Sequence, residues 1–240
     1  MDYLRGLRGD TRRILFVNTD LILIVLAAGF ALTAQRYQLL PLARRLTARL
    51  TPGLDAAVAA GLVPLVFRVL GAVWLAGIVL LAIALVRGRV RDFGLAAGRP
   101  GRWLADTAIA FAVLLPLLFW VSRRPEFLRI YPSFSVMRLD PAWFAAGLGV
   151  RFAYMFACEF LFRGLLLFGF ERRAGPAAAI AASTLPFALM HFGKPGLEVY
   201  GSVLAGIVLG FIALRGRSFL PCWLLHFTAA ATLDVLTLLR

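Results

Sequence analysis

The sequence predicts an all-α protein, a polytopic transmembrane bundle of about seven helical spans. Two observations support this prediction. Hydrophobic residues make up 61% of the 240 positions and charged residues only 16%, which leaves too little polar surface to coat a water-soluble domain of this size. The apolar residues also form several runs of about 20, the length that crosses a bilayer, and not amphipathic stripes. We therefore expect an integral membrane protein that contacts the lipid bilayer.

The first half of the chain contains three of the predicted spans. The first covers about 14–32, and the lack of a small-residue cleavage site favours a transmembrane helix over a signal peptide. A basic connector over 35–55 leads to the second span at about 57–86. A loop over 87–102, which carries five Arg residues, precedes the third span at about 104–121.

The second half contains four more spans. The longest polar stretch, 122–140, leads into the fourth span at about 141–170. A short turn follows, and a proline at its end is well placed to begin the fifth span, about 176–192. The sixth and seventh spans cover about 197–214 and 219–239. The simplest account is a helical membrane protein without internal repeats.

The net charge of +14 raises the question of a nucleic-acid partner. Nearly all Arg residues lie between apolar runs, where basic side chains meet lipid headgroups and fix topology. No Gly-rich phosphate loop and no alternation of aromatic and basic residues accompanies them. We therefore expect no nucleic-acid partner.

A small set of ionisable residues lies inside the apolar spans. Glu159 and Arg163 are four residues apart on one helical face, where opposite charges meet, and alone they fit a structural ion pair equally well. His191 and His226, the only histidines, also lie in or near apolar helices. With a rise of ~1.5 Å per residue, Glu159, His191 and His226 lie about 18, 22 and 12 Å from turns on the same membrane face. These depths permit the three side chains to converge.

Such a set predicts hydrolysis by an activated water. A carboxylate beside an imidazole holds and deprotonates water, and a second imidazole donates to the oxyanion of an attacked carbonyl. Arg163 would keep Glu159 ionised and oriented. The same residue types also bind zinc, which we place second because no HExxH signature is present. A thiol nucleophile at Cys158 fits less well, since neighbours in a helix point about 100° apart.

Three motifs, in order, resemble a known family. Residues 158–164, CEFLFRG, resemble its EExxxR motif, Phe187–His191 matches FxxxH, and residues 221–226, PCWLLH, resemble the start of HxxxN. The family is that of the CPBP membrane proteases, the CAAX-processing and bacteriocin-processing enzymes also called Abi. The resemblance implies a glutamic-type intramembrane endopeptidase without a cofactor, with a peptide or protein substrate at a bacterial cytoplasmic membrane. It implies N-terminal transmembrane helices and basic connectors over 1–140 and the catalytic core over 141–240.

The motifs depart from the family pattern at two positions. Cys158 stands where the family has the first Glu, so the resemblance implies that Glu159 takes over as the base. Ala230 stands where the family has Asn, and Asp234 is a candidate substitute. A catalytically silent scaffold or immunity protein of the same fold therefore stays an alternative. A transporter is a further one, against which the lack of broken helices in symmetric halves counts.

The other polar residues in the spans have simpler expected roles. We expect Arg68 to pair with Asp106 or to reach the membrane surface, and Arg151 to pair with Glu159 or a lipid phosphate. Glu198 is a candidate for lining the entrance of the site.

Overall fold

The computed structural model describes residues 19–240, and the regular secondary structure in that part of the chain is entirely helical. Within these residues, six helical runs are long and apolar enough to cross a membrane. This confirms the predicted all-α transmembrane bundle. The predicted beginning of the first span, at Ile14, lies outside the described residues.

The described helices follow one another with short connections. In chain order they are α1 (Thr19–Ala34), α2 (Leu40–Leu50), α3 (Ala56–Leu85), α4 (Pro100–Val121), α5 (Pro125–Leu128), α6 (Pro141–Glu159), α7 (Gly169–Leu189), α8 (Gly196–Gly216) and α9 (Leu220–Leu238). Two π-helical segments, Gln35–Leu39 and Phe160–Phe168, join α1 to α2 and α6 to α7. Two 3₁₀ turns, Val90–Phe93 and Ser135–Arg138, lie in the loops.

Aspartates begin two of the long helices. Asp55 accepts hydrogen bonds from the backbone N–H groups of residues 57 and 58 at the start of α3. Asp140 accepts from those of residues 142 and 143 at the start of α6, where Pro141 occupies the first turn. Such caps satisfy N–H groups that have no partner within the helix. The N-terminal end of α6, the helix that carries Glu159, is therefore fixed by the sequence itself.

The run Pro141–Leu189 has 49 residues, long enough for two membrane crossings, and this length reconciles six runs with the predicted seven spans. Gly175 breaks it, with φ 81° and ψ 171°, a conformation that favours glycine. Arg163 and Phe187 lie at equal sequence distances on either side of Gly175, and the Arg163 Cζ is 4.1 Å from the centre of the Phe187 ring. The chain therefore reverses at Gly175, and the two helical segments on either side of it pack against each other.

The predicted connector over 35–55 is helical over most of its length. The chain continues from α1 through the π-helical segment into α2, and only residues 51–55 are non-helical. Ala43 and Thr47, one helical turn apart, are buried, whereas Arg44, Arg45 and Arg49 are exposed. Amphipathic spacing of this kind stabilises a helix that carries many charges. The amphipathic periodicity therefore accounts for the helical structure of this charged connector.

Apolar side chains lie on both the inside and the outside of the bundle. Leu75, Leu161 and Leu165 are fully buried in one large hydrophobic core to which α1, α3, the second π-helical segment and α7 to α9 contribute. Val113 and Leu204 remain 75% and 68% exposed. Exposed apolar side chains on long helices are suited to lipid, because backbone polar groups are already satisfied within each helix. The division at residue 140 stays a prediction.

Candidate active site

The second π-helical segment begins directly after Glu159. All nine of its residues, Phe160–Phe168, are buried, and Arg163 lies among them. π-helical turns are rare, because their hydrogen-bond geometry is unfavourable, and they occur frequently at functional sites. The backbone itself therefore singles out this stretch of the bundle.

Glu159 and Arg163 form a buried ion pair within this stretch. Arg163 Nη1 donates to Glu159 Oε1 at 3.1 Å and lies 3.0 Å from Oε2. Both side chains are completely buried. The guanidinium is also held from its other side, because Nη2 donates to the Gly206 carbonyl at 3.5 Å and Phe187 stacks against it. Arg163 therefore balances the carboxylate charge and fixes its position.

His226 makes the second contact with the same carboxylate. Its Nδ1 lies 2.7 Å from Glu159 Oε1, a short, charge-assisted hydrogen bond in which the imidazole donates. Nδ1 therefore carries a proton, and Nε2 points away from the carboxylate. The side chain of His226 is 17% exposed, in contrast to Glu159. His226 thus lies between the buried carboxylate and the accessible space.

His191 lies two residues beyond the end of α7. Its Nδ1 is 2.8 Å from the Phe187 carbonyl oxygen, which only accepts, so Nδ1–H donates and Nε2 has the lone pair in the neutral ring. Burial lowers the pKa of His191 to about 4, against the smaller opposing effect of this hydrogen bond. The imidazole is therefore neutral near pH 7, with Nε2 available to accept a proton.

Phe187 contacts three of the four predicted residues, Arg163, His191 and His226. Its ring centre lies 4.7 Å from that of His191 and 5.5 Å from that of His226, both in edge-to-face contacts. The two imidazole centres are 6.3 Å apart. The structure thus places the four residues in one cluster, in which Glu159 is held by Arg163 and His226. Phe187 was visible in the sequence only as a motif position, four residues before His191 and hence on the same helical face.

The residues at the two departures from the motif add no polar group to this cluster. Cys158 is buried, and no hydrogen bond joins its thiol to either histidine in the described part of the chain. Ala230, one turn after His226, is half-buried and apolar. The carboxylate of the site therefore comes from Glu159.

Asp234 is engaged elsewhere. It forms a buried ion pair with Arg151, and its Oδ1 accepts from the Ser133 N–H at 3.0 Å. The expected pairing of Arg151 with Glu159 or a lipid phosphate is therefore wrong, because α6 packs against α9 and brings Asp234 to it. Asp234 fixes the loop before α6 and makes no contact with His226 among the hydrogen bonds of the described residues.

The structure also shows the partners of Asp106 and Glu198. Asp106 binds Arg215, at 2.9 Å, so its predicted pairing with Arg68 is wrong. Glu198, a candidate for the site entrance, accepts a hydrogen bond from the Tyr131 hydroxyl at 2.7 Å. Arg215 and Tyr131 lie far from Asp106 and Glu198 in the sequence, so helical periodicity alone does not identify these pairs.

The zinc alternative stays a prediction from the sequence. No group of three His, Cys, Asp or Glu side chains in the described residues lies close enough to bind one ion. The carboxylate of Glu159 already faces the guanidinium of Arg163 and the N–H of His226, two donors that occupy the positions a cation would need.

The neutrality of His191 predicts a pH dependence of stability. A folded-state pKa of about 4 lies below the usual value of 6.5, so the unfolded chain binds more protons between these limits and stability falls as the pH drops through this window. We expect the thermal unfolding midpoint in detergent to fall less between pH 7 and pH 5 in His191→Gln than in the wild type. An equal fall in both proteins would contradict this assignment.

Comparison with known proteins finds a family match for the helical core that carries these residues. Residues 140–232 match a family model described as Rce1-like, type II CAAX prenyl endopeptidase Rce1-like. No curated protein and no solved structure matches the chain. The matched segment runs from the cap of α6 into α9 and includes all four clustered residues. The chain is an integral membrane protein whose helical core, residues 140–232, is similar to the CAAX-type membrane proteases.

Proposed function

We propose that this protein is an endopeptidase that hydrolyses a peptide bond of a membrane-associated protein or peptide with an activated water. The observation that carries the proposal is the cluster around Phe187, in which two accessible imidazoles face each other in front of a buried Glu159–Arg163 pair. The family match supports a protease of this general kind. We place it in the cytoplasmic membrane of a bacterium, as the resemblance implies.

His191 accepts the proton of the water in this proposal. Its Nδ1–H is committed to the Phe187 carbonyl, so the lone pair on Nε2 is free and correctly placed for a general base. The imidazole centres are 6.3 Å apart, so a water at the edge of one ring and a substrate carbonyl oxygen at the edge of the other can lie side by side. His191 therefore acts directly on the reacting atoms.

His226 stabilises the oxyanion. Its Nδ1–H is bound to Glu159, and a proton on Nε2 is then directed at the carbonyl oxygen of the substrate. In its imidazolium form, His226 places a second positive group beside Arg163 on the same carboxylate, and this favours negative charge on the oxyanion. Because Glu159 is completely buried, it positions His226 in this scheme and does not bind the water, unlike the role expected from the sequence.

In the second step, His191 transfers the proton that it took from the water to the leaving amine. Water oxygen bonds to the carbonyl carbon while His191 takes one water proton, and a tetrahedral intermediate forms. The carbon–nitrogen bond then breaks as His191 gives this proton to the amine nitrogen. The products are a carboxylic acid and an amine, and no covalent enzyme intermediate forms. Since His191 lies just beyond α7, the reacting bond lies near one surface of the bilayer.

The proposal predicts that His191→Ala lowers kcat by about 10²–10⁴, the usual contribution of a general base. Purified protein in detergent is incubated with a random peptide library, and new N-termini are identified by mass spectrometry. Cleavage sites found there are compared with N-termini that appear in cells only when the protein is present.

Leu189→Ala is the matched control, because Leu189 is half-exposed, two residues from His191, and outside the cluster. It should cleave at the wild-type rate. Undiminished cleavage by His191→Ala contradicts the mechanism. The absence of any wild-type cleavage, in the library and in cells, would favour the silent scaffold.

A further inference from the structure

A cavity of about 300 Å³ is lined by residues on both sides of His191 in the chain. Met190 and Phe192, the chain neighbours of His191, form part of its wall, and Arg68, Ser133 and Lys194 supply its polar groups. This volume is at the lower end of the range of ligand pockets. The cavity is therefore large enough for a small part of a substrate and is next to the proposed base.

The charges around this cavity are unbalanced. In the described part of the chain Arg151 is paired with Asp234, and Lys194 lies 3.7 Å from Glu198. Arg68 has no carboxylate within ion-pair distance among the same residues. A cation inside an apolar span is costly unless it pairs or serves a cavity. The cavity thus has an excess of one positive charge.

Aromatic and amide groups hold Arg68 in place. Its Cζ lies 4.3 Å from the centre of the Tyr154 ring, a cation–π contact. The Tyr154 hydroxyl accepts from Gln35 Nε2 at 2.6 Å, and Gly71 allows both side chains to approach α3, since a Cβ there would lie 2.9 Å from the ring. The guanidinium is therefore preorganised without being neutralised.

Ser133 provides a further unsatisfied group. Its Oγ is buried and has no hydrogen-bond partner, although the residue lines the cavity. Buried polar atoms without a partner are uncommon and indicate a missing ligand or water. A guanidinium, a hydroxyl and a nearby ammonium form a donor set suited to a carboxylate.

We propose that this cavity binds a carboxylate of the peptide substrate, with Arg68 as the main partner and Ser133 and Lys194 as additional donors. The inference rests on the proposed function, which it deepens by naming a substrate feature. The carboxylate belongs either to an acidic side chain or to the C-terminus of the peptide. Because an extended chain advances about 3.5 Å per residue, and the cavity adjoins His191, this group lies within a few residues of the bond that is cut.

The first test measures binding, independently of catalysis. Three mixtures of N-acetylated tripeptides are compared: free C-termini without Asp or Glu, amidated C-termini with one Asp or Glu, and amidated C-termini without acidic residues. We expect one or both carboxylate mixtures to raise the thermal unfolding midpoint of the wild type and the uncharged mixture to leave it unchanged. In Arg68→Gln the stabilisation should disappear, and in Arg68→Lys it should be partly retained.

The second test measures cleavage of longer peptides that differ in the same way. Arg68→Gln should raise KM for the carboxylate peptides by about tenfold or more, with a smaller change in kcat, because a charge-assisted hydrogen bond is lost. KM for uncharged peptides should be high in both proteins. Arg45→Gln, an exposed arginine of α2, is the matched control and should behave as the wild type.

The outcomes separate the two proposals. Carboxylate peptides that bind through Arg68 but are never cut support the pocket and contradict the endopeptidase. Equal binding and cleavage of charged and uncharged peptides overturns the pocket while leaving the endopeptidase intact. Stabilisation by phosphatidylglycerol that depends on Arg68, with none by the carboxylate peptides, also overturns it by identifying a lipid phosphate as the ligand.

Discussion

Arg163→Met is expected to lower the free energy of unfolding by about 3–5 kcal/mol, the usual result of removing one partner of a buried ion pair. Glu159 would remain completely buried with His226 as its only polar partner. The loss comes mainly from the uncompensated carboxylate, because Met fills much of the volume of Arg. Unfolding in micelles with increasing fractions of denaturing detergent, followed by tryptophan fluorescence, measures it.

The double variant Glu159→Gln/Arg163→Met isolates the charge. Removing both charges should recover at least half of the stability lost in the single variant, since no unpaired ion remains. Arg45→Met, in which an exposed arginine is replaced, should change the free energy of unfolding by less than about 0.5 kcal/mol. Equal losses in the single and double variants would show that Arg163 stabilises the bundle by packing alone.

Periodicity and charge patterns predicted the parts of the fold that depend on local sequence. The six long helical runs lie where the apolar runs of the sequence predicted spans, and the reversal at Gly175 lies in the predicted turn. The residues of the cluster were also named, because ionisable groups in apolar helices are rare and because two turns fix their depth. Such features depend on spacing within one or two helices, which a sequence displays directly.

Contacts between distant helices were not predictable in the same way. Arg151 was expected near Glu159 because both lie on one helix, but its partner is Asp234, on α9. Arg68 was expected to pair with Asp106 or to reach the membrane surface, whereas its guanidinium contacts the ring of Tyr154 on α6. These partners depend on how the helices are rotated and packed, and a single sequence gives no measure of rotation. The cavity beside His191, which several such contacts enclose, therefore appears only in three dimensions.

The division of roles between Glu159 and the histidines likewise depends on three-dimensional burial. The sequence places a carboxylate and two imidazoles at similar depths, which is compatible with a water held by Glu159 itself. The structure encloses the carboxylate behind His226 and leaves the imidazoles partly exposed. The exposed groups meet the substrate, and the enclosed group sets the orientation and charge of one of them.

Glu159→Gln is therefore expected to lower kcat by about 10²–10⁴, comparable to the loss of an orienting carboxylate behind a catalytic histidine. KM should change much less, because the carboxylate does not reach the substrate. Cys158→Ala should leave both constants near their wild-type values, since its thiol makes no hydrogen bond to either histidine. The two variants alter adjacent residues that are both buried, so each is a control for the other.

Folding must be measured alongside, because Glu159→Gln leaves Arg163 without its carboxylate. Glu159→Asp retains the charge but shortens the side chain by one methylene, which lengthens the 2.7 Å contact with His226 Nδ1. We expect kcat in this variant to lie between those of the wild type and Glu159→Gln, at temperatures where all three remain folded. A purely structural Glu159 would instead give the same kcat in every folded variant. Loss of cleavage in Cys158→Ala with normal cleavage in Glu159→Gln would transfer the role to the thiol.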